Sequence, residues 1–442
     1  MESMQSRTVQ AVKAGLVLLM LFAFAFLRHG CRDGNRGKTS IRFWCGFTGP
    51  DGRTMLRLIQ RFNEKNPDIH VLMQRMDWST YYNKLFVAGL GGRAPEVFIS
   101  HVDNLERFYR ADFLEPMDPF LAGTQGIDPN DLLTNIWTAV EREGKHMGLP
   151  LDMHPLGLYY NKTLFREAGI VDATGDPVPP TTREAFLDAA QRLKKDNNND
   201  GIVDQWGYVF TWFRTNAFTV MKQFGGAMFN EDATASTLTD PRNVEALQFC
   251  ADLVHKVEVA PSPENFDSWI GFRQGRVGMV FEGIYMLADL QKQTDLDFGA
   301  APVPTLGDTP AAWASAHILC MRTGLTEEKK EAAWRFMRFL SENSLDWAEG
   351  GQIPVRRSLL QSDRFRKMTV QSAFAQQLDR IQYAPRVPFI FEFFREFDFA
   401  VDRSLRGSVT PLEALQEAED NVNKTIARHR ELMEELERDH IQ

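Results

Sequence analysis

The chain has 442 residues, of which 43% are hydrophobic and 25% are charged, and its formal net charge is -9. This length exceeds the size at which a single hydrophobic core usually stops growing, so we expect a globular protein of two lobes or domains. The acidic balance argues against nucleic-acid binding, which needs a basic face, and mildly against holding an anionic membrane by charge alone.

The N-terminus has the pattern of an export signal. Arg7 and Lys13 precede an uninterrupted apolar run, which at about fourteen residues is shorter than the roughly twenty of a permanent membrane helix. We therefore predict that residues 1–30 are a signal peptide or an uncleaved membrane anchor, and that the protein is exported. Cys31 is a candidate lipidation site, although Arg28 stands where such signals usually carry leucine.

Strands and helices alternate in the first part of the chain, after a polar tether over residues 31–40. The pattern predicts a strand over 41–47, a helix with the apolar stripe Met55, Leu58, Ile59 and Phe62, a strand over 69–73, a helix over 81–90 and a strand over 95–100. This order indicates a parallel sheet covered by helices. Ligands bind beyond the carboxyl ends of such strands, and the loops there carry Trp44, Phe47, Asp51, His101 and Asp103.

The second part repeats the alternation with other spacings. It predicts a short helix over 161–170, a helix that begins with the capping box Thr181 and Glu184, and a helix that begins at Asp240 and Pro241. Strands are predicted over 277–283 and 297–304. Two more helices are predicted, one around 327–340 and one from Thr410, where Glu413 completes a second capping box. The charged end over 428–440 is expected to be solvated or frayed.

Cysteine usage and glycine motifs exclude several classes of site. Cys45, Cys250 and Cys320 lack metal-ligand spacing and are too few for a disulfide framework, so buried free thiols are expected, although Cys45 and Cys320 could be neighbours. The segment over 32–39 resembles a phosphate-binding loop but has arginine in place of the first glycine and follows no strand. The glycines over 89–94 follow a helix, which is the reverse of dinucleotide-binding order.

One segment has the spacing of a calcium loop. Asp196, Asn198, Asp200 and Asp204 fall at positions 1, 3, 5 and 9 of an EF-hand-like loop, but Gly207 occupies position 12, where a bidentate glutamate belongs. The segment is either an Asx-rich turn or a structural calcium site. No other cofactor is expected.

Several blocks in order carry a family pattern. They are FNEKNPDIHV (62–71), YYNKLFVAGLGGRAPEVFIS (81–100), HMGLPLDMHPLGLYYNKTLFREAGI (146–170), PPTTREAF (179–186), FRQGRVGMVFEG (272–283) and GQIPVRRS (351–358). Together they span about residues 41–424, and the chain resembles the extracellular solute-binding proteins of bacterial ABC importers. The resemblance is to the large sugar-type branch related to maltose-binding and glycerol-phosphate-binding proteins. Glu96 departs from the common Asp of the pattern.

The resemblance implies a two-lobed α/β periplasmic-binding-protein fold of class II type, with a ligand cleft between the lobes. It also implies that the exported protein lies in the periplasm or on the outer face of the cytoplasmic membrane. One lobe would comprise 41–149 plus about 308–350, and the other 150–307 plus about 351–442. The implied function is that of a monomeric substrate-binding component without enzyme activity, which captures a solute, a mono- or oligosaccharide, by hinge closure and delivers it to the ABC permease subunits of the membrane. The alternatives are a secreted carbohydrate-active enzyme and an anchored sensor for a signalling partner.

Sugar recognition requires aromatic faces, carboxylates and arginine. At loop positions that match the cleft of the family, the candidates are Trp44, Phe47, Asp51, Asp103, Asp152, Trp212, Glu282, Tyr285, Trp313 and Arg356. Asp152, in the crossover block, is the strongest of them. Trp44 could instead be core, Asp103 could instead cap a helix, and Arg356 is not separable from Arg357. The sequence leaves open a sugar, polyol, glycerol-phosphate ester or peptide-like solute.

Overall fold

The structure is a computed structural model that describes residues 37–122, 125–264 and 266–441. The predicted signal peptide, most of the tether and the candidate lipidation site Cys31 lie outside these ranges. Within them, no helix combines the length and the apolar composition that crossing a bilayer requires.

The strands in the described residues are mostly short. In chain order they are β1 Thr39–Cys45, β2 Ile69–Arg75, β3 Val97–His101, β4 Glu141–Arg142, β5 Lys145–His146, β6 Leu149–Pro150, β7 Asp152–Asn161, β8 Trp206–Phe210, β9 Val277–Gly283, β10 Phe298–Ala301, β11 Ala312–Ser315, β12 His317–Met321, β13 Ile353–Pro354 and β14 Ile381–Gln382.

The longer helices of the described ranges are α1 Pro50–Lys65, α2 Trp78–Leu90, α3 Arg183–Leu193, α4 Phe213–Gln223, α5 Pro241–His255, α6 Glu327–Glu342, α7 Ile390–Leu405 and α8 Pro411–Ile441. Shorter α-helical segments are Leu105–Arg110, Asp118–Leu121, Thr134–Ala139, Lys162–Glu167, Ser268–Arg273, Leu287–Leu290, Ser344–Ala348, Arg357–Leu360, Asp363–Arg366 and Thr369–Ala375. Single 3-10 turns occur at Val102–Asn104, Pro129–Asp131, Ile284–Met286 and Leu378–Arg380.

The first sheet has the strand order β2-β1-β3-β12-β6. The strands β1, β2 and β3 run parallel, and β12 is antiparallel to both β3 and β6. Alternate residues of β1 point into the core, where Phe43 contacts Phe336 of α6 with ring centroids 5.3 Å apart. This contact places α6 on one face of the first sheet, as expected from the predicted alternation of strands and helices.

The second sheet is built around β7, and its main strand order is β14-β11-β7-β9-β8, with β10 and β13 also paired to β7. All ten residues of β7 are buried. Because both faces of this strand are covered, its apolar residues do not alternate with exposed polar ones, and its polar residues Asp152, His154 and Asn161 are buried as well.

The chain passes between the two sheets three times. Two of these passages are adjacent, and the third lies between β12 of the first sheet and β13, which pairs with β7 of the second. Leu151 separates β6 from β7, and Ala316 separates β11 from β12. The Leu151 amide donates to the His317 carbonyl at 2.9 Å, so the two crossings lie side by side. Because β11 pairs within the second sheet, the return crossing lies at Ala316 rather than near residue 308, where the sequence placed the lobe boundary.

Helix termini follow the expected capping chemistry with one shift. Thr410 and Glu413 form the predicted capping box, in which each backbone amide donates to the other side chain. The cap of α3 is Thr182, one residue later than predicted.

The described part of the chain also contains α7, which was not predicted from the sequence. The last helix, α8, extends to Ile441. The three cysteines of the described residues are buried and free.

Candidate cleft at the crossing of the two sheets

A cavity of about 860 Å³ lies at the carboxyl ends of the strands, where the two sheets meet. Its wall comprises Gly46, Thr48, Gly49, Pro50, Asp51, Trp78, Tyr82, His101, Asp103, Asn104, His154, Trp212, Arg214, Thr215, Tyr285, Met286, Trp313, Ser315, His317, Gln352, Phe391, Phe394, Arg395, Asp398 and Phe399. We call this space the inner cleft. Both sheets contribute to it, as expected for ligand binding beyond strand ends.

A second cavity of about 1130 Å³ adjoins the first. Trp78, Tyr82 and Phe391 line both spaces. The Tyr82 and Phe391 rings lie 5.8 Å apart, so aromatic groups from α2 and α7 separate the two spaces. We call the second space the outer cleft.

Three histidines lie together in the inner cleft. His101 ends β3, His154 lies near the start of β7, and His317 begins β12. The register of β3 and β12 places His101 directly opposite His317, and the His154 and His317 ring centroids are 4.4 Å apart. Each ring has a nitrogen within 4.8 Å of those of the other two.

A buried carboxylate holds two of these rings. Asp152 Oδ1 lies 3.2 Å from His154 Nδ1, and Asp152 Oδ2 lies 2.8 Å from His317 Nδ1. The Trp347 indole N–H also donates to Asp152 Oδ2. The third ring is held by Tyr82, whose hydroxyl oxygen lies 2.5 Å from His101 Nδ1.

Burial and charge set the ionisation of this group. Burial raises the pKa of Asp152, but the neighbouring His317 and the hydrogen bonds with His154 and His317 outweigh it and hold this pKa below its usual range. Burial, together with His317, lowers the pKa of His154 to about 4. Burial, followed by the neighbouring imidazoles, lowers the pKa of His101 well below its usual value. His101 and His154 are therefore neutral at neutral pH.

Aromatic side chains line the wall beside the histidines. Trp212 follows β8 and is 52% exposed, and its ring meets Tyr285 edge to face at 6.1 Å. Tyr285 in turn lies 6.1 Å from His154, and Trp313 lies 6.4 Å from the same ring. The opposite wall has Trp78, 4.5 Å from His101.

Acidic and basic side chains also reach the inner cleft. Burial raises the pKa of both Asp51 and Asp103. Arg214 Nε lies 3.5 Å from Asp398 Oδ1, and its guanidinium lies 4.0 Å from the Phe394 ring centroid. The inner cleft thus carries both charge signs among apolar faces.

Half of the predicted binding residues line the inner cleft: Asp51, Asp103, Trp212, Tyr285 and Trp313. The other half, Trp44, Phe47, Asp152, Glu282 and Arg356, lie elsewhere.

The residues outside the wall have structural surroundings. Trp44 is half-buried within β1, which ends at Cys45. Phe47 is fully buried and packs edge to face against His317, with ring centroids 4.8 Å apart. Arg356 Nε bonds Asp131 Oδ2 at 2.7 Å.

Asp152 and Glu282 lie behind the wall. Asp152 is fully buried and reaches the cleft only through the histidines. Glu282 is 1% exposed and accepts the Gly283 amide at 2.7 Å. Burial raises the pKa of Glu282 to about 7, against the opposing hydrogen bonds from the Gly283 amide, Thr211 and Trp212.

The candidate calcium loop closes largely on its own backbone. Asp196 Oδ2 accepts the Gly201 amide at 2.8 Å, and Asp204 Oδ2 accepts the Asn197 amide at 2.7 Å. Asn198 Oδ1 and Asp200 Oδ1 likewise accept the amides two residues further on. A Cβ atom on Gly207 would lie 1.9 Å from the Ala190 carbonyl oxygen, so no side chain fits at the twelfth loop position. These bonds suit an Asx-rich turn, and calcium binding stays a prediction.

Two groups of residues in the wall of the inner cleft were not predicted from the sequence. One is the exposed face of α7, formed by Phe391, Phe394, Arg395, Asp398 and Phe399. Their spacing of three and four residues was a signal that could have identified this face. The other group is the histidines, whose proximity depends on strand register, although His101 was recognised as following a strand.

The comparisons with known proteins agree with this architecture. A family model described as bacterial extracellular solute-binding protein matches residues 48–344. The maltotriose-binding protein of Pyrococcus abyssi is 22% identical, over 80% of this chain and 74% of the relative. The periplasmic sn-glycerol-3-phosphate-binding protein UgpB of Escherichia coli (strain K12) is 23% identical, over 88% of this chain and 93% of the relative.

A solved structure shares the fold over nearly its full length. The ABC substrate-binding protein Lmo0181 from Listeria monocytogenes, in complex with cycloalternan, superposes with a TM-score of 0.77 at 25% identity, covering 88% of this chain and 99% of that chain. The fold is accordingly the two-lobed α/β fold of the periplasmic binding proteins, with its cleft between the lobes. The chain belongs to the family of bacterial extracellular solute-binding proteins.

Proposed function

We propose that this protein captures an oligosaccharide in the cleft and delivers it to the permease of an ABC importer. The observation that carries the proposal is the aromatic wall of the inner cleft, above all Trp212, whose large face is half exposed beside Tyr285. Exposed aromatic faces in a concave site suit the C–H faces of sugar rings, and the neighbouring polar groups suit hydroxyls.

The size of the cleft favours an oligosaccharide over a single sugar. Pockets for drug-sized ligands occupy roughly 300–1,000 Å³. The inner cleft alone has about 860 Å³, and the adjoining outer cleft has about 1130 Å³. A chain of sugar units would extend from Trp212 past Tyr82 and Phe391 into the outer cleft.

The charge of the wall favours a neutral ligand over a phosphate ester. Asp51, Asp103 and Asp398 line the inner cleft. Both arginines of its wall are already paired, Arg214 with Asp398 and Arg395 with Glu396. An anionic phosphate placed there would meet carboxylates, whereas sugar hydroxyls donate hydrogen bonds to them. The relatives that bind maltotriose and cycloalternan are therefore better guides to the ligand than the glycerol-phosphate binder.

A thermal-shift titration with maltotriose tests the ligand class. At a ligand concentration one hundred times Kd, the expected stabilisation is about 2.7 kcal/mol, and glycerol 3-phosphate should produce a much smaller one. Trp212→Ala should weaken maltotriose binding by about 2 kcal/mol, or roughly thirtyfold, because it removes a central aromatic contact. Ile202→Ala, an exposed apolar truncation away from the cleft wall, serves as the matched control.

Two results would contradict the sugar assignment: no shift with any oligosaccharide, or equal weakening by both variants. The transport role is tested separately, by uptake of labelled maltotriose into cells that lack this gene. We further propose that the protein performs no chemistry on its ligand, since its role is to release the solute intact. Hydrolysis of an oligosaccharide on incubation with the purified chain would refute that part.

A further inference from the structure

The three histidines of the inner cleft have the arrangement of a metal-binding set. We propose that His101, His154 and His317 bind one divalent transition-metal ion of the zinc type through their Nε2 atoms, with Asp152 as the carboxylate that orients the ligands. This proposal adds a cation to the cleft and does not depend on what solute the cleft binds.

The ring nitrogens that remain free point to this chemistry. The Nδ1 atoms are occupied by Asp152 and by the Tyr82 hydroxyl. Among the described residues, none offers a hydrogen bond to the Nε2 atom of these three rings, although all three rings line the inner cleft. His154 and His317 are 4% and 5% exposed, so these unpartnered nitrogens belong to nearly buried side chains.

The spacing is close to that of a bound ion. Zn–N bonds of about 2.0–2.1 Å in a tetrahedral site place ligand nitrogens roughly 3.4 Å apart. One ring nitrogen of each histidine lies within 4.8 Å of one in each of the other two rings, so side-chain adjustments on the order of an ångström would bring a nitrogen of every ring to bonding distance. Imidazole sets of this kind suit zinc, nickel, copper and iron(II), and they do not suit calcium or magnesium.

The carboxylate behind the rings supports the same assignment. Histidines that bind metals usually donate the other ring N–H to a carboxylate, which fixes the tautomer and the orientation. Asp152 is shared by two of the three rings and is fully buried. Across the described part of the chain, its ion-pair partners are those two histidines, with no lysine or arginine. A dication on the far side of the rings would supply the counter-charge that a buried carboxylate needs.

The ion would connect the two lobes. His101 and His317 belong to the first sheet, whereas His154 belongs to the second. An ion bound by all three would fix the two sheets beside the crossing points. Three protein ligands also leave a coordination position open to the inner cleft, as in zinc sites that keep an exchangeable ligand.

Isothermal titration of the full chain with ZnCl₂, after treatment with a chelator and without a polyhistidine tag, tests the proposal. We expect one Zn²⁺ per chain and no comparable binding of Ca²⁺ or Mg²⁺. His154→Gln and His317→Gln should each weaken the affinity by at least a hundredfold, and Asp152→Asn should weaken it ten- to a hundredfold. His70→Ala, a substitution on β2 outside the cleft wall, should leave the affinity unchanged.

Two further measurements distinguish the loss of a metal ligand from the loss of the fold in the variants. Thermal melts of each metal-free variant show whether it is folded, and the visible spectrum of the Co²⁺ form reports nitrogen ligation even where an affinity is small. The proposal is overturned if the wild type binds no stoichiometric Zn²⁺, or if folded histidine variants bind it as tightly as the wild type. Maltotriose binding is measured in the presence of chelator, so failure of the sugar assignment and failure of the metal assignment give different results.

Discussion

Glu282 provides a pH-dependent test of the buried electrostatics. Its folded-state pKa of about 7 compares with an ordinary value of 4.5, because the side chain is almost wholly buried. Below pH 4.5 the carboxyl is protonated in both the folded and the unfolded chain, and it costs nothing. As the pH rises towards 7, the unfolded chain ionises first, so the free energy of unfolding falls. Above pH 7 the carboxyl is ionised in both states, and the free energy of unfolding is lower than at acidic pH by about 3 kcal/mol, which corresponds to the difference between the two pKa values.

Glu282→Gln removes the ionisation and keeps the shape and an acceptor for the Gly283 amide. We expect the variant and the wild type to be equally stable near pH 4, and the variant to be more stable by about 3 kcal/mol at pH 8. Urea denaturation of both proteins at a series of pH values measures this difference. A difference that does not change with pH would refute the reasoning, and so would a wild type that gains stability relative to the variant as pH rises.

Two further predictions concern residues that the sequence reading associated with ligands. Arg356→Ala should destabilise the fold by about 1–3 kcal/mol through loss of the Asp131 contact and leave maltotriose affinity unchanged in calorimetry; a large loss of affinity would return Arg356 to the binding site. Gly207→Ala should cost about 3 kcal/mol or more in denaturant unfolding, because its Cβ meets the Ala190 carbonyl, whereas Gly91→Ala, whose nearest contact is 3.5 Å, should be nearly neutral.

Local patterns predicted most of the fold because they depend on neighbouring residues. The helix with the stripe at Met55, Leu58, Ile59 and Phe62 is α1, and the capping box at Thr410 begins α8. The helix α7 carries the same kind of signal, and this signal was overlooked. Ile390, Phe393, Phe397 and Val401 recur at spacings of three and four residues and are buried. Phe391 and Phe399 face the cleft.

The cleft was less predictable because it depends on where strands end and which strands pair. Trp44 lies within β1 and not in the loop after it, and Phe47, two residues beyond the end of that strand, is in the core. The family resemblance identified Asp152 as important, but nothing in the chain's local pattern indicates that this carboxylate faces two histidines rather than a solute. One of them, His317, is separated from it by most of the second lobe in sequence.

The position of the histidines at the crossing has a consequence for lobe closure. A rotation of one lobe about the crossing points moves atoms least where they lie near Leu151 and Ala316, and the Leu151 amide already bonds the His317 carbonyl. Trp212 is further away, since it reaches His154 only through Tyr285. Groups at the base of the cleft therefore keep their arrangement while the outer aromatic groups approach or separate. A cation at the base would bind to open and closed forms with similar affinity, whereas an oligosaccharide that spans Trp212 and Phe391 would favour the closed form. Because a ligand shifts a conformational equilibrium only by its differential affinity for the two states, closure should follow the sugar and not the metal.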